Sequence, residues 1–423
     1  MILTLELYSA LEPLESEWRA LERDDYCSLH QSYDWCQAWA TTHANPLAIV
    51  RGQQQGRTVM ILPLEISRTA MVRSASFIGA RFSNINTGLF DPTWRQTLST
   101  TSLQLWSEKW EPVFGKIRCE NKNLEHRANS NFRHDALGAL RQQIASLLKP
   151  QADVLHLGNI PLHWRGEQHP LAGWPCVEHQ NHAFQLPLFA DFPATLAQLN
   201  AKRRRKKFKN QHRKLEERGG YEHIIAHGDD EKAQLLATFF RQKAVRFAAL
   251  GLPDVFQSPQ TQGFFHHLLK GHHDRLNMPL ELHAIRLRDP QGGKIAAIAG
   301  LSRKGTHVIC QFGSIDATLA PEASPGELLF WLMIEQCCKD GVTLFDFGLG
   351  DQGYKRGWCP VETVQHDIIQ PLTPLGHIAA KAQRVVIRTK AAIKNNRQAY
   401  GFIQRMRAKA NRASGKDSGE SAD

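Results

Sequence analysis

The chain has 423 residues, 42% hydrophobic and 22% charged, with 30 glycines and 20 prolines scattered without a period; this excludes mostly disordered, collagen-like and coiled-coil classes and suits two or three globular domains. Lys+Arg (52) exceed Asp+Glu (41), a formal charge of +11, which favours anionic partners: nucleic acid, acidic headgroups or phosphate-bearing substrates. No window reaches the roughly 18 uninterrupted apolar residues of a membrane span, Met1 to Leu11 has no secretory pattern, and the eight cysteines are dispersed, so a reduced, cytoplasmic protein is expected.

Leu14 and Trp18, four apart, predict a short amphipathic helix over 11–21, and Trp35 and Trp39 predict another over 32–41. A hairpin follows, Leu47 to Val50 and Thr58 to Leu64 around a Gln/Gly-rich turn, then a strand at Asp153 to Leu157. From about Phe184 the order begins again. A helix is expected from the basic run 201–210 through Leu215 to Gly219-Gly220, and a second over 231–250, stopped by Gly251 and Pro253. A second hairpin (282–301), a strand at 307–312, an apolar helix opened by Ser324-Pro-Gly-Glu327 and a strand at 342–347 complete the unit. At one fixed offset, Arg51, Gln54, Gly56, Ile61 and Leu64 fall on Arg288, Gln291, Gly293, Ile298 and Leu301. That signals internal duplication or the shared composition of hairpin turns. From Pro374, Ile378, Val385, Ile393 and Tyr400 recur among lysines and arginines. Such a basic amphipathic helix packs on its own domain with a solvated charged face or lies on an anionic membrane surface; Ser414 to Asp423 is a frayed polar tail.

The chain contains no GxxxxGK[ST], HExxH, GxSxG or paired CxxC, and its histidines lack ligand spacing, so no metal is expected. Gly348-Leu-Gly-Asp-Gln-Gly353 has the GxGxxG form and follows a strand, but Gly357 and Pro360 leave no room for the helix a dinucleotide needs. What remains is a loop presenting Asp351, Tyr354 and Lys355: a proton acceptor, a proton donor and a stabilising charge, or a polar surface loop pinned by Tyr354 and Trp358. Ser324 and Glu327 fit a capping box, and the same helix start fits a phosphate, against which the Glu327 charge competes. The run 202–209 suits a solvated or phosphate-touching helix face, since Phe208 alone offers stacking.

Several strings carry a family likeness: Trp35 and Trp39 after Ser32, Leu62-Pro63-Leu64, Phe77-Ile-Gly79, the helix ending Lys214 to Gly220, Lys243-Ala-Val-Arg246 with Gly251, and Ser324-Pro-Gly326 to Phe345-Asp-Phe-Gly-Leu-Gly-Asp351, Tyr354-Lys355 and Trp358. Over most of 10–370 the chain resembles the CelD/BcsL-like acetyltransferases, a branch of the GNAT superfamily related to the FemAB peptidyltransferases. The resemblance implies an α/β fold of tandem GNAT-like units with mixed central sheets flanked by helices. It divides the chain into a GNAT-like domain over 1–180, an acetyltransferase domain over 181–375, and a basic helix with tail over 376–423. It implies acyl transfer from acetyl-CoA to an amine or hydroxyl of a saccharide or envelope precursor, in exopolysaccharide or cellulose biosynthesis. Tyr354, Lys355 and Asp351 take the catalytic positions, Ser324 and Gly326 the donor site, and Arg246 and Trp358 the acceptor site. The usual glycine-rich pyrophosphate loop is replaced by Ser324-Pro-Gly326, which leaves two alternatives open. One is a FemAB-like transferase using aminoacyl-tRNA; the other is a non-catalytic GNAT-fold assembly factor, peripheral on the inner face of the membrane through its last helix.

Overall fold

The computed structural model describes residues 3–98, 137–271, 276–288 and 293–395. Expectations for the 289–292 turn, the side chains of Ile393 and Tyr400, and the tail beyond 395 lie outside the described residues. The chain divides into two compact units, one built from Met1–Ala40, Ala44–His179 and Gln365–Val386, the other on Gln180–Val364.

In the first unit, α1 (Glu15–Leu21) buries Trp18, and α2 (Tyr33–Thr42) buries Trp35 and Trp39, the i, i+4 pattern of a helix with one apolar face. Besides a two-stranded ribbon (His163–Trp164 with Glu167–Gln168), the unit has strands β1 (Leu3–Tyr8), β2 (Ile49–Gln54), β3 (Arg57–Leu62), β4 (Leu64–Thr69), β5 (Val72–Phe77), β6 (Leu89–Phe90), β7 (Val154–Pro161) and β8 (Cys176–Glu178). One antiparallel sheet has the order β1-β2-β3-β6. In the other, β4, β5 and β7 are joined by strand Gln365–Pro371, which lies between β7 and β8. Pro63 has no N–H to donate to a ladder, and there the chain passes from β3 in one sheet to β4 in the next. Beside that break, the Glu65 carboxylate accepts from Trp39 Nε1 (2.8 Å), Asn45 Nδ2 (2.8 Å) and the Gly79 N–H (3.1 Å). Gly79 has φ +68°, and a Cβ there would sit 3.0 Å from the Trp35 indole nitrogen. The Trp35, Trp39, Leu-Pro-Leu and Phe-Ile-Gly strings are therefore one structural knot.

The second unit contains β9 (Ala183–Pro187), α3 (Ala201–Glu216), β10 (Tyr221–Ile225), α4 (Asp229–Leu250), α5 (Pro259–Lys270), β11 (Asn277–Leu287), β12 (Ile295–Lys304), β13 (His307–Ile315), α6 (Pro325–Lys339), β14 (Leu344–Leu349), α7 (Gly353–Trp358) and β15 (Val361–Thr363). Its strands form one sheet, β10-β11-β12-β13-β14-β9-β15, in which β13 and β14 are parallel and every other pair antiparallel. The core joins Leu328, Leu329, Met333 and Ile334 of α6 to Ala297, Ala299, Leu301 and Phe345. Phe239 of α4 stacks on Phe312 of β13 (4.1 Å), with Phe256 and Phe265 against the same rings. Gly251 closes α4 at φ +60°, and Gly219 and Gly220 follow α3 at +104° and +92°; both stops depend on conformations open to glycine. A final basic helix, α8 (Pro374–Asn395), follows. Tandem α/β units with mixed sheets flanked by helices make up the expected fold class.

Three expectations change. Strand 365–371 belongs to the first unit's sheet, so the second unit ends near Val364 and not at 375. The fixed-offset identities do not superpose: Arg51 opposes Ile61, whereas Ile298 opposes Ala284, four residues before Arg288. The two hairpins thus share a place in their sheets without sharing a register. Finally, a short helix does follow the glycine turn, because six residues suffice for α7 between the extended Gln352 and Cys359. Gly357 fits inside it for a tertiary reason: Arg204 Nη2 would lie 2.5 Å from a Cβ there.

Candidate active site

Strands β13 and β14 pair over only three residues, His307–Ile309 with Leu344–Asp346, and then part. A bulge drives the separation. Against β12, Gly300 opposes Phe312 and Leu301 opposes Cys310, leaving Gln311 as the extra residue. Gly300 permits this because a Cβ would lie 2.4 Å from the Phe312 ring. Beyond Ile309 the β14-facing backbone groups of β13 are no longer taken up by that ladder. The result is a crevice at the carboxyl ends of two parallel strands, a recurrent place for ligand sites in α/β sheets.

The glycine turn brings Tyr354 to this crevice. Its ring stacks on Phe330 of α6 (centroids 5.2 Å, planes 12° apart) and meets the Phe347 edge at 6.0 Å, with 37% of the residue exposed. Burial of the phenol, then the Cys310 thiol nearby, pushes its pKa well above the ordinary value, so it stays protonated. The half-buried Cys310 thiol is raised to about 12 by desolvation, against the pull of Lys355 and Lys243; as a protonated thiol it is no nucleophile.

Lys243 was named in the sequence strings but given no role, and the structure brings it to the same place. It projects from α4 over the rings of Phe247 (5.6 Å), Phe239 (5.9 Å) and Phe256 (6.0 Å). Desolvation lowers its pKa from 10.5, with Cys310 and Arg246 next among its influences. Among the described residues its ammonium has no hydrogen-bond or ion-pair partner. Arg246, one turn further along α4, is exposed.

The other expected residues are placed differently. Lys355 is 4% exposed and donates from Nζ to the carbonyls of Gly348 (3.2 Å) and Leu349 (2.7 Å). It pins the turn on which Tyr354 rides. Asp351 takes a two-pronged salt bridge from Arg356 (2.6 and 2.8 Å) on the exposed side. Trp358 is 1% exposed, stacks under Arg204 (4.0 Å) and donates to Glu327 (3.3 Å); it backs the site and does not face it. Asp346, a residue without a role in the sequence reading, is fully buried under the crevice. It accepts from Gln185 Nε2 (2.8 Å) and the Gly348 N–H (2.6 Å) and lies 3.4 Å from His307 Nε2. Burial pushes its carboxyl up, but His307 and these donors outweigh burial and hold it below the ordinary range.

Ser324 and Gly326 stand at the start of α6, beside β13: a Cβ on Gly326 would lie 2.5 Å from Ile315 Cδ1. The capping box does not form. Ser324 adopts φ +49°, ψ +62° and its side chain caps nothing. Glu327 turns instead to Arg204 (3.0 Å) and Lys207 (3.1 Å) of α3. Its charge is thereby neutralised, which removes the objection to an anion at this helix start. The basic run is accordingly two-faced: Arg204 and Lys207 face inward, while Lys202, Arg203, Arg205, Lys206 and Lys209 are exposed.

A cavity of about 600 Å³ opens where β13 begins, lined by Glu281, His283, Arg303 and Cys337 among others. Among the described residues no His/Cys/Asp/Glu group could hold a metal ion, and no helix is long and apolar enough to cross a membrane.

No curated protein matches the chain. Among solved structures, FemX overlays at a TM-score of 0.57 with 11% identity, covering 90% of this chain and 100% of that one. A tandem GNAT protein from the clavulanic acid biosynthesis pathway overlays at 0.42 with 11% identity, covering 88% and 99%. The likeness to FemX is one of fold. The family model described as acetyltransferase (GNAT) domain matches residues 202–356. That match runs from the basic helix to the turn that carries Tyr354.

Proposed function

We propose that the second unit transfers an acyl group, acetyl in the simplest case, from CoA to an amine or hydroxyl of a saccharide or cell-envelope precursor. The observation carrying this reading is the parting of β13 and β14, with Tyr354 and Lys243 at its sides and the start of α6 beside it. The acceptor nitrogen or oxygen attacks the thioester carbon, and Lys243, whose deprotonated form is favoured by its desolvation, takes the proton in that form. Backbone N–H groups of β13 beyond Ile309 receive the developing oxyanion. The C–S bond then breaks, and Tyr354 gives its proton to the leaving thiolate; the raised phenol pKa ensures that it holds a proton to give. Ser324 and Gly326 border the donor phosphates, Arg246 meets the acceptor, and Lys355 and Asp351 hold the turn. Setting and pathway, the cytoplasm and exopolysaccharide or cellulose biosynthesis, follow from the family resemblance.

Calorimetric titration with acetyl-CoA, then turnover with candidate acceptors, tests the reading in wild type and Tyr354→Phe. Binding that is absent in both sinks it. A second reading, transfer from aminoacyl-tRNA, draws on the five exposed cations of α3. It requires tRNA affinity that falls steeply with salt, as counterion release dictates, and that drops in Arg203→Glu/Lys206→Glu.

A further inference from the structure

Helix α8 uses one side to hold the first unit. Gly376 abuts the Asp153 carbonyl so closely that a Cβ there would lie 1.8 Å from the oxygen, Ala380 is 1% exposed, and Arg384 donates to the Ile369 carbonyl at 2.6 Å. The opposite side is apolar and uncovered. Leu375 (37% exposed), Ile378 (70%), Val385 (62%) and Val386 (47%) fall on one arc of the helix. Exposed Lys381 and Arg388 flank that arc on one edge and exposed Lys390 on the other. Between Pro374 and Lys416 the sequence has eleven Lys+Arg and no Asp or Glu.

Simple packing of the Ile378/Val385 stripe on the body does not occur, since these side chains point to solvent. A nucleic-acid partner matches the cations but not the branched aliphatic residues at the centre of the face. A bilayer matches both: aliphatic side chains enter the acyl boundary while lysine and arginine stems reach back to the phosphates. We infer that α8 is an interfacial anchor that lays its Ile378/Val385 stripe into an anionic phospholipid membrane. Its length and charge suit lying in the surface plane, and it is not apolar enough to span. Docking in this way is independent of the acyl-transfer reading and brings the protein to lipid-linked or membrane-delivered acceptors.

The full chain is sedimented with phosphatidylcholine vesicles with and without phosphatidylglycerol. Pelleting with the anionic vesicles alone is expected, weakening as salt rises. Ile378→Glu/Val385→Glu should lower vesicle affinity at least about tenfold, and Lys381→Glu/Arg388→Glu should do the same. All four side chains are exposed, so thermal unfolding should not change in either variant. Equal pelleting with neutral vesicles, no pelleting at all, or unchanged affinity in Ile378→Glu/Val385→Glu overturns the inference. So does a vesicle-free dimer, seen by light scattering, that the same variant dissolves, because the stripe would then belong to a second copy.

Discussion

Arg204 of α3 and Glu327 of α6, 123 residues apart in sequence, form a 3.0 Å ion pair over the Trp358 ring. Their side chains are only 12% and 20% exposed. Burial pulls the guanidinium pKa down and Glu327 opposes that pull, so removing the carboxylate strands a mostly desolvated cation. Glu327→Ala should cost about 1–3 kcal/mol, below the range of a fully buried pair because some solvent remains. A double-mutant cycle with Arg204→Ala in urea should recover much of that loss as coupling. Additive single effects would mean that the pair is not a unit.

Tyr354→Phe keeps the stack on Phe330 and Phe347 but removes the transferable proton. kcat should fall about 10²–10⁴-fold with little change in KM for the thioester. Since the phenol pKa is raised, no alkaline loss of rate below pH ~10 should trace to this residue. An undiminished kcat in the variant would take Tyr354 out of the chemistry.

Lys243 makes two opposite predictions. Its folded pKa is lowered, chiefly by desolvation, so the unfolded chain binds more protons between the folded and unfolded values. Stability therefore rises with pH across that window, which ends near the ordinary lysine value of 10.5. At neutral pH the protonated form costs stability, and Lys243→Met should raise the thermal midpoint while abolishing most turnover. A variant both less stable and fully active would contradict both roles.

Gly300 and Gly326 set the crevice walls. Ala at Gly300 would push on Phe312 (2.4 Å), and Ala at Gly326 would push α6 off Ile315 (2.5 Å). Each should cost about 1–3 kcal/mol of overpacking. Each should also weaken donor binding more than Gly138→Ala, where no neighbour lies within 4 Å. Equal donor affinity in all three would separate the crevice from the donor site.

In the first unit, fully buried His169 donates from Nε2 to the Thr87 carbonyl (3.0 Å) and accepts at Nδ1 from the Leu171 N–H (3.0 Å). Burial lowers its pKa from 6.5 to about 3. The unfolded chain takes up the proton first, so stability is lost as pH falls from about 6.5 toward 3, by up to about 5 kcal/mol. Urea midpoints between pH 7 and 4 follow this loss. An NMR titration showing the imidazole charged at pH 5 in the folded protein would refute it.

Local chemistry made the helices and strands legible. The stops at Gly219-Gly220 and Gly251, the four-residue spacing of Trp35 and Trp39, and the run before Asp346 act within a few residues of themselves, and they appear where the pattern placed them. The six-residue α7 was missed because Gly357 reads as a breaker until Arg204 is found lying against it. Lys243 was passed over because a lysine on a helix reads as solvated until three phenylalanines close around it.

The sequence by itself thus determined the order of elements and the turn that bears Tyr354, since caps, glycine dihedrals and apolar periods are short-range properties; the tandem α/β class entered through the family resemblance. Only the tertiary structure decided which charges are spent and which are offered. Lys355 goes to two carbonyls, Asp351 to Arg356 and Glu327 to Arg204, while Lys243 is left without a partner among the described residues. Burial and pairing depend on which distant segments meet, and spacing along one chain does not encode that in any local pattern.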